Sequence, residues 1–194
     1  MSVAHTIFSR IKYLPKGEPF SIERFMNAGT RAAVDKAFSR LAAAGQLERV
    51  ARGIYMRPKM SRFAGQVRPS AASVVRVIAQ HNCETIQVHG AEAARTFNLS
   101  TQMQTTPVFY TSGATRELKI GQSTVRLLHV SPTRLQHAGT RVGMALAALF
   151  YLGKGGVTSA IVAAVKSKLE HPEFEKLSAC KMPGWMRDAV QSVG

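Results

Sequence analysis

The chain has 194 residues and carries 26 Lys plus Arg against 11 Asp plus Glu, which gives a net charge of +15 and a pI near 10.6. This charge favours a polyanionic partner. Two distant cysteines, Cys83 and Cys180, argue against a disulfide framework and predict a cytoplasmic location. The amino terminus lacks a signal-peptide pattern. The longest apolar stretch, residues 142–152, is shorter than the roughly 20 residues of a membrane span and predicts a buried core helix.

Two short helical segments are predicted before residue 30. Apolar residues at positions 7, 8, 11 and 14 fall on one face of a helix over residues 5–14, which Pro15 ends. Ser21 is placed to cap a second segment over residues 22–28. Gly29 completes the turn that follows.

The next segment predicts an amphipathic helix and a hairpin. Thr30 is a suitable N-cap, Val34, Phe38 and Leu41 form one apolar stripe, and Gly45 ends the helix. Apolar residues then recur in two short runs, which predicts two strands joined by a turn at Arg52-Gly53 and ended by Pro58: Leu47, Val50, Ile54 and Tyr55.

The order helix, helix, turn, helix, hairpin predicts a winged helix-turn-helix, in which the helix after the turn enters the major groove of DNA and the wing contacts the backbone. Residues 1–68 hold 13 Lys plus Arg against 4 Asp plus Glu, a net charge of +9, which supports this hypothesis. The residues expected near base edges are Thr30, Arg31, Ala32, Asp35 and Lys36, and those expected nearer the backbone are Arg40, Arg49, Arg52 and Arg57. Asp35 either pairs with Arg31 at i, i+4 or accepts from a cytosine amine.

The residues after this predicted DNA-binding region are expected to form a second domain. Residues 1–58 are the predicted DNA-binding domain, residues 59–69 a polar and basic linker, and residues 70–194 an α+β domain that ends in helices. This domain begins with a helix over residues 71–80, a strand over 85–89 and a helix over 90–99. Strands follow at 107–111, 118–120 and 124–130, with a hairpin turn at Gly121-Gln122. The fold class is therefore predicted to be α+β.

Residues 88–132 resemble the second domain of AbiE-type antitoxins of type IV toxin–antitoxin systems. The matching features are Gly-Ala-Glu-Ala-Ala at 90–94, Leu-Ser-Thr-Gln at 99–102, Ser112-Gly113 and Ile120-Gly121. The first domain is similar to the winged-helix domain of that family in its Ala-Val-Asp-Lys-Ala helix at 33–37 and in the predicted wing at 47–55. Together these segments cover most of residues 1–152.

The resemblance implies an autorepressor that binds operator repeats in its own promoter. It also implies an antitoxin that counteracts a nucleotidyltransferase-like toxin without a stable complex. Two copies on repeated DNA would bind as a homodimer or cooperatively. No membrane partner is expected.

Two other functions compete with this interpretation. One is a transcriptional regulator without a toxin, whose second domain dimerises or senses a ligand. The other is a nucleic-acid-processing enzyme, for which Glu84 and Glu92 would be an acid/base pair only if the fold joined them. His81, Cys83 and His89 do not have the spacing of paired metal ligands. We therefore predict no metal, no cofactor and no enzymatic activity.

Overall fold

The computed structural model describes residues 2–63 and 65–193. The chain folds into two compact units. The first unit comprises Met1–Cys83 and Leu118–Thr124, and the second unit comprises Glu84–Glu117 and Val125–Gly194. Both units combine helices with strands, so the predicted α+β class is confirmed.

The elements of the first unit alternate between short strands and longer helices. In chain order they are α1 (Val3–Ile11), β1 (Pro19–Ser21), a 3-10 helix (Ile22–Ala28), α2 (Arg31–Ala43), β2 (Glu48–Ala51), β3 (Ile54–Met56), β4 (Lys59–Ser61), β5 (Gly65–Val67) and α3 (Ala71–His81). The first predicted helix therefore begins two residues earlier and ends three residues earlier than expected. Its start is explained by the hydroxyl of Ser2, which accepts a hydrogen bond from the backbone N–H of His5 at 3.3 Å.

Helix α2 begins and ends where the sequence predicts. The Thr30 hydroxyl accepts from the backbone N–H of Ala33 at 3.4 Å, and Gly45 takes the left-handed conformation with φ of +69°. Phe38 is fully buried, with its ring centroid 4.9 Å from that of Tyr55 and 5.3 Å from that of Phe25. This aromatic cluster is the centre of the core that joins α1, the 3-10 helix and α2.

The predicted hairpin is present as β2 and β3, with Gly53 at φ of +74° in the turn. A third strand, β1, completes an antiparallel sheet in the order β1-β3-β2. The sequence analysis did not predict β1, because three residues beginning with Pro19 carry no alternation of their own. The strand exists because Phe20 pairs with Tyr55, 35 positions later in the chain.

Residues 59–69, the predicted linker, contain the antiparallel pair β4 and β5, in which Met60 lies opposite Gln66; residue 64 of this segment lies outside the described residues. Helix α3 belongs to the first unit, where Val74 packs with Val50, Ile54 and Met56. The first unit thus extends beyond the predicted boundary, because the apolar face of α3 covers its sheet. That residues 1–60 fold alone and bind DNA weakly stays a prediction.

The second unit surrounds one long apolar helix. Its elements in chain order are β6 (Ile86–Val88), α4 (Gly90–Thr96), β7 (Val108–Thr111), β8 (Arg116–Ile120), β9 (Ser123–His129), a 3-10 helix (Pro132–Leu135), α5 (Arg141–Gly156), α6 (Ser159–Lys166), α7 (His171–Ser178) and α8 (Gly184–Gln191). The tip of the β8–β9 hairpin, Leu118–Thr124, belongs to the first unit. The sheet order is β6-β7-β9-β8, with β7 and β9 parallel. The predicted turn at Gly121 is confirmed by its φ of +60°.

Helix α5 is the predicted buried core helix. Residues from Val142 to Leu149 are buried along it, apart from Met144, which is half-buried. A kink at Gly153 interrupts its last turn. Met182 and Met186 pack into the core that α5 shares with α6, α7 and α8. Among residues 2–63 and 65–193, no helix combines the length and apolar character needed to cross a bilayer.

Candidate nucleic-acid interface

The outward side of α2 carries the predicted base-reading residues. Ala32, Asp35, Lys36 and Arg40 are exposed, whereas Val34, Ala37 and Phe38 face the core. Thr30 is exposed but its hydroxyl is engaged as the helix cap. The helix therefore presents a polar face on which Lys36 and Arg40 lie one turn apart.

Arg31, the first residue of α2, lies between two carboxylates. Its Nη1 is 2.5 Å from Glu23 Oε1, and its Nε is 3.2 Å from Asp35 Oδ2. The hydrogen bond to Glu23 and then that to Asp35 raise the pKa of the Arg31 guanidinium above its ordinary value. The i, i+4 pair considered for Asp35 is thus present, and Arg31 is oriented by the helix that precedes it as well as by its own helix.

Arg57 contacts the body of the first unit. Its Nη1 donates to the carbonyl oxygens of Lys12 and Leu14 at 2.6 and 2.7 Å. These carbonyls follow α1, so Arg57 joins the end of that helix to the end of β3. These two hydrogen bonds hold the Arg57 side chain against the protein, which explains why the residue is half-buried. The same hydrogen bonds do not use the other N–H groups of the guanidinium. Contact between Arg57 and the DNA backbone stays a prediction.

Several other arginines of the first unit have no such partner. Within the part of the chain that the structure describes, six guanidinium groups form neither an ion pair nor a hydrogen bond, and all six side chains belong to exposed residues: Arg24, Arg40, Arg49, Arg52, Arg62 and Arg76. Arg52 lies in the β2–β3 turn and Arg49 lies in β2. Three of the predicted site residues, Arg40, Arg49 and Arg52, therefore present unpaired positive charge.

Three members of this unpaired group are absent from the predicted site residues. Arg76 lies in α3, Arg24 belongs to the 3-10 helix that precedes α2, and Arg62 follows β4. The last two carry no sequence signal of their own. No periodicity marked either residue, because the first lies in a single short turn of helix and the second in a segment interpreted as a linker. Their exposure was a signal available only from the fold.

The carboxylates considered for catalysis each have their own cationic partner. Glu84 Oε2 lies 2.8 Å from Arg116 Nη2 and accepts from the Thr111 hydroxyl at 2.9 Å. Glu92 is paired with Arg95 at 2.6 Å, and the hydrogen bond from Arg95 lowers the pKa of the Glu92 carboxyl. Among the described residues, no three His, Cys, Asp or Glu side chains converge as metal ligands.

Comparison with known proteins places the chain by family alone. No curated protein and no solved structure matches it. The model of one family, described as a family of unknown function (DUF6088), matches residues 6–177, which is most of the chain. The protein therefore belongs to the DUF6088 family.

Proposed function

We propose that this protein is a sequence-specific double-stranded DNA-binding autorepressor that acts as the antitoxin of a type IV toxin–antitoxin system. In this proposal the first unit is a winged helix-turn-helix, with α2 as the recognition helix and the β2–β3 hairpin as the wing. The observation that carries the DNA-binding half is the group of exposed, unpaired arginines on α2 and around the wing. Exposed cations without acidic partners suit a ligand that carries many phosphates.

The interface residues then divide by role. Lys36 and Arg31 approach base edges in the major groove, while Arg40, Arg49 and Arg52 contact phosphates. Glu23 and Asp35 hold the Arg31 side chain in one orientation, which lowers the entropy lost when it meets a base. We expect Arg31 to donate to a guanine through donors left free by these carboxylates or released from them.

The antitoxin half depends on the resemblance of residues 88–132. Those residues form helix α4 and the strands β7 to β9. In this proposal they and the helices α5 to α8 counteract a nucleotidyltransferase-like toxin encoded beside this gene. The DNA contacts of the first unit are not required for that activity.

A ligand-sensing regulator is the second candidate, and one feature of the second unit favours it. A groove of about 760 Å³ is lined by residues of α7 and the end of α6, among them Leu169, Phe174 and Lys166. A mostly apolar cavity of this size with a few polar groups is typical of small-molecule sites. In that case a ligand in the groove would alter DNA binding, and no toxin would be involved.

DNA binding is tested by measuring the affinity of the full-length chain for its own upstream region and for random duplex. Arg31→Ala should lose about 1–3 kcal/mol on the upstream region alone, as expected for a bidentate guanine contact. Arg52→Ala should weaken both duplexes similarly and reduce the salt slope by about one. Equal affinity of the unchanged protein for both duplexes would refute specific repression.

The antitoxin half is tested separately by co-expression with the neighbouring toxin-like gene. The double variant Arg31→Ala, Arg52→Ala should rescue growth as well as the unchanged chain at equal protein level. Residues 1–60 alone should not rescue growth. Rescue by those residues, or the lack of a toxin-like neighbouring gene, would overturn the antitoxin assignment and leave a DNA-binding repressor.

A further inference from the structure

The hairpin of β4 and β5 carries an unusual pair of apolar side chains. Phe63, in its turn, is 99% exposed, and Met60, in β4, is 73% exposed. Neither contributes to the cores of the first unit. Large apolar side chains grouped this openly indicate a surface that meets another molecule.

The same hairpin is cationic. Lys59 and Arg62 are exposed beside these apolar residues, and the sequence of residues 59–67 contains no Asp or Glu. The neighbouring carboxylate, Glu48, is engaged at the base of the hairpin by Gln66 and by Arg68, the latter at 3.1 Å. Among the described residues, neither Lys59 nor Arg62 forms an ion pair, so the hairpin offers an apolar tip flanked by two unpaired cations.

A partner that suits this tip is both anionic and apolar. Nucleic acid has this combination, because its phosphates are charged while the faces of its bases are apolar. The first unit carries 15 Lys plus Arg against 4 Asp plus Glu, a net of +11, and its unpaired arginines extend to α2 and the β2–β3 turn. The charge of the whole unit thus agrees with that of the hairpin.

We propose that the β4–β5 hairpin enters the minor groove of duplex DNA and that Phe63 inserts between two adjacent base pairs, with Arg62 and Lys59 on the flanking phosphates. This inference rests on the proposed DNA-binding function and adds a second contact to it. A three-residue strand spans roughly 10 Å, which exceeds the groove depth of about 7.5 Å, so the tip reaches the base edges.

Insertion of Phe63 has consequences for the DNA. An apolar wedge unstacks one base step and bends the duplex, and it does so at least cost at flexible pyrimidine–purine steps. The hairpin therefore selects sites by deformability, while α2 selects them by base edges.

The experiment uses the full-length chain and a duplex that this chain has enriched from a random pool. Phe63→Ala is compared with Tyr13→Ala, which removes another aromatic ring of the first unit that is 89% exposed. We expect Phe63→Ala to weaken binding about tenfold, as for the loss of one stacked aromatic ring, and to abolish the bend measured by energy transfer between the duplex ends. A 2-aminopurine placed at the inserted step should gain fluorescence when the unchanged chain binds, and this gain should be lost with Phe63→Ala. Tyr13→Ala should change none of these values.

The conservative variant Phe63→Trp should retain the bend. If Phe63→Ala leaves affinity, bend and 2-aminopurine signal unchanged while Arg52→Ala weakens binding, the wedge is refuted and the DNA-binding function stands. If the unchanged chain fails to bind any duplex, the proposed function itself fails. Loss of binding to anionic phosphatidylserine vesicles in Phe63→Ala, with DNA binding intact, would assign the hairpin to a lipid surface and overturn the proposal.

Discussion

The two units treat their arginines differently. In the second unit, over its described residues, every arginine has a partner: Arg95, Arg116, Arg126 and Arg141 pair with carboxylates, while Arg134 and Arg187 donate to Tyr110 and to a backbone carbonyl. In the first unit, as far as the structure describes it, six guanidinium groups have none. The second unit carries 11 Lys plus Arg against 7 Asp plus Glu, a net of +4, compared with +11 in the first.

This difference teaches that the six unpaired guanidinium groups do not stabilise the fold of the first unit. Unpaired like charges on a small unit repel one another and destabilise the compact state. Such a surface is useful when an external anion supplies the missing partner. The fold of the first unit must then depend mainly on apolar packing, whereas in the second unit every described arginine also has a partner.

The largest expected effect concerns the aromatic core of the first unit. Phe38→Ala should lower its free energy of local unfolding by about 3–5 kcal/mol, because the removed ring is fully buried against Phe25 and Tyr55. Hydrogen exchange of peptides from α2 measures this change. Trp185 is the only tryptophan and lies in the second unit, so its fluorescence in urea serves as an internal control. A loss below about 1 kcal/mol would contradict the dependence on packing.

The next effect concerns the half-buried ion pair of the second unit. Glu84→Gln should lower the free energy of unfolding by about 1–3 kcal/mol, because it leaves the Arg116 charge without its counter-ion in a site where the two side chains are 13% and 26% exposed. The matched control is Glu117→Gln, whose pair with Arg126 is more than half exposed and should cost below about 0.5 kcal/mol. Urea unfolding followed by Trp185 fluorescence measures both variants. Equal losses would show that burial does not distinguish the two pairs.

A smaller effect is expected for the DNA affinity of two double variants, each of which removes two arginines. The double variant Arg40→Ala, Arg52→Ala should weaken binding to random duplex roughly tenfold at physiological salt and reduce the salt slope by about two. The control is the double variant Arg126→Ala, Arg141→Ala, which removes the same charge from the second unit, where both arginines form ion pairs with carboxylates. That variant should leave the slope unchanged. Similar slopes for the two variants would mean that net charge, rather than the unpaired surface, drives binding.

Local signals allowed much of the first unit to be predicted. Thr30 and Gly45 fixed the ends of α2, because a cap and a left-handed residue act within one turn of helix. Gly53 likewise marked the hairpin turn. The pair between Arg31 and Asp35 is one of the two alternatives that helical spacing left open for Asp35.

Features that depend on distant partners were not predictable. Strand β1 needs β3, and the contacts of Arg57 need the carbonyls of Lys12 and Leu14, more than 40 positions away. The β4–β5 pair has no alternating pattern, so its residues were interpreted as a linker. The unpaired state of Arg40 and Arg52 is likewise a property of the folded surface, since no sequence pattern reveals a partner that is absent.

The smallest effect concerns pH and His89, the N-cap of α4. Its Nδ1 accepts from the backbone N–H of Ala91 at 3.2 Å and lies 2.9 Å from Gln104 Nε2. Burial, and then the charge of Arg134, lower the pKa of His89 below its ordinary value of 6.5. Because the unfolded chain takes up a proton at this residue before the folded chain does, the free energy of unfolding should fall as pH drops below about 6.5 and stop falling at the folded pKa. His89→Asn keeps a capping acceptor but cannot titrate, so it should flatten this dependence in urea unfolding followed by Trp185 fluorescence. A slope unaltered by His89→Asn would show that His89 does not set the pH dependence of the second unit's stability.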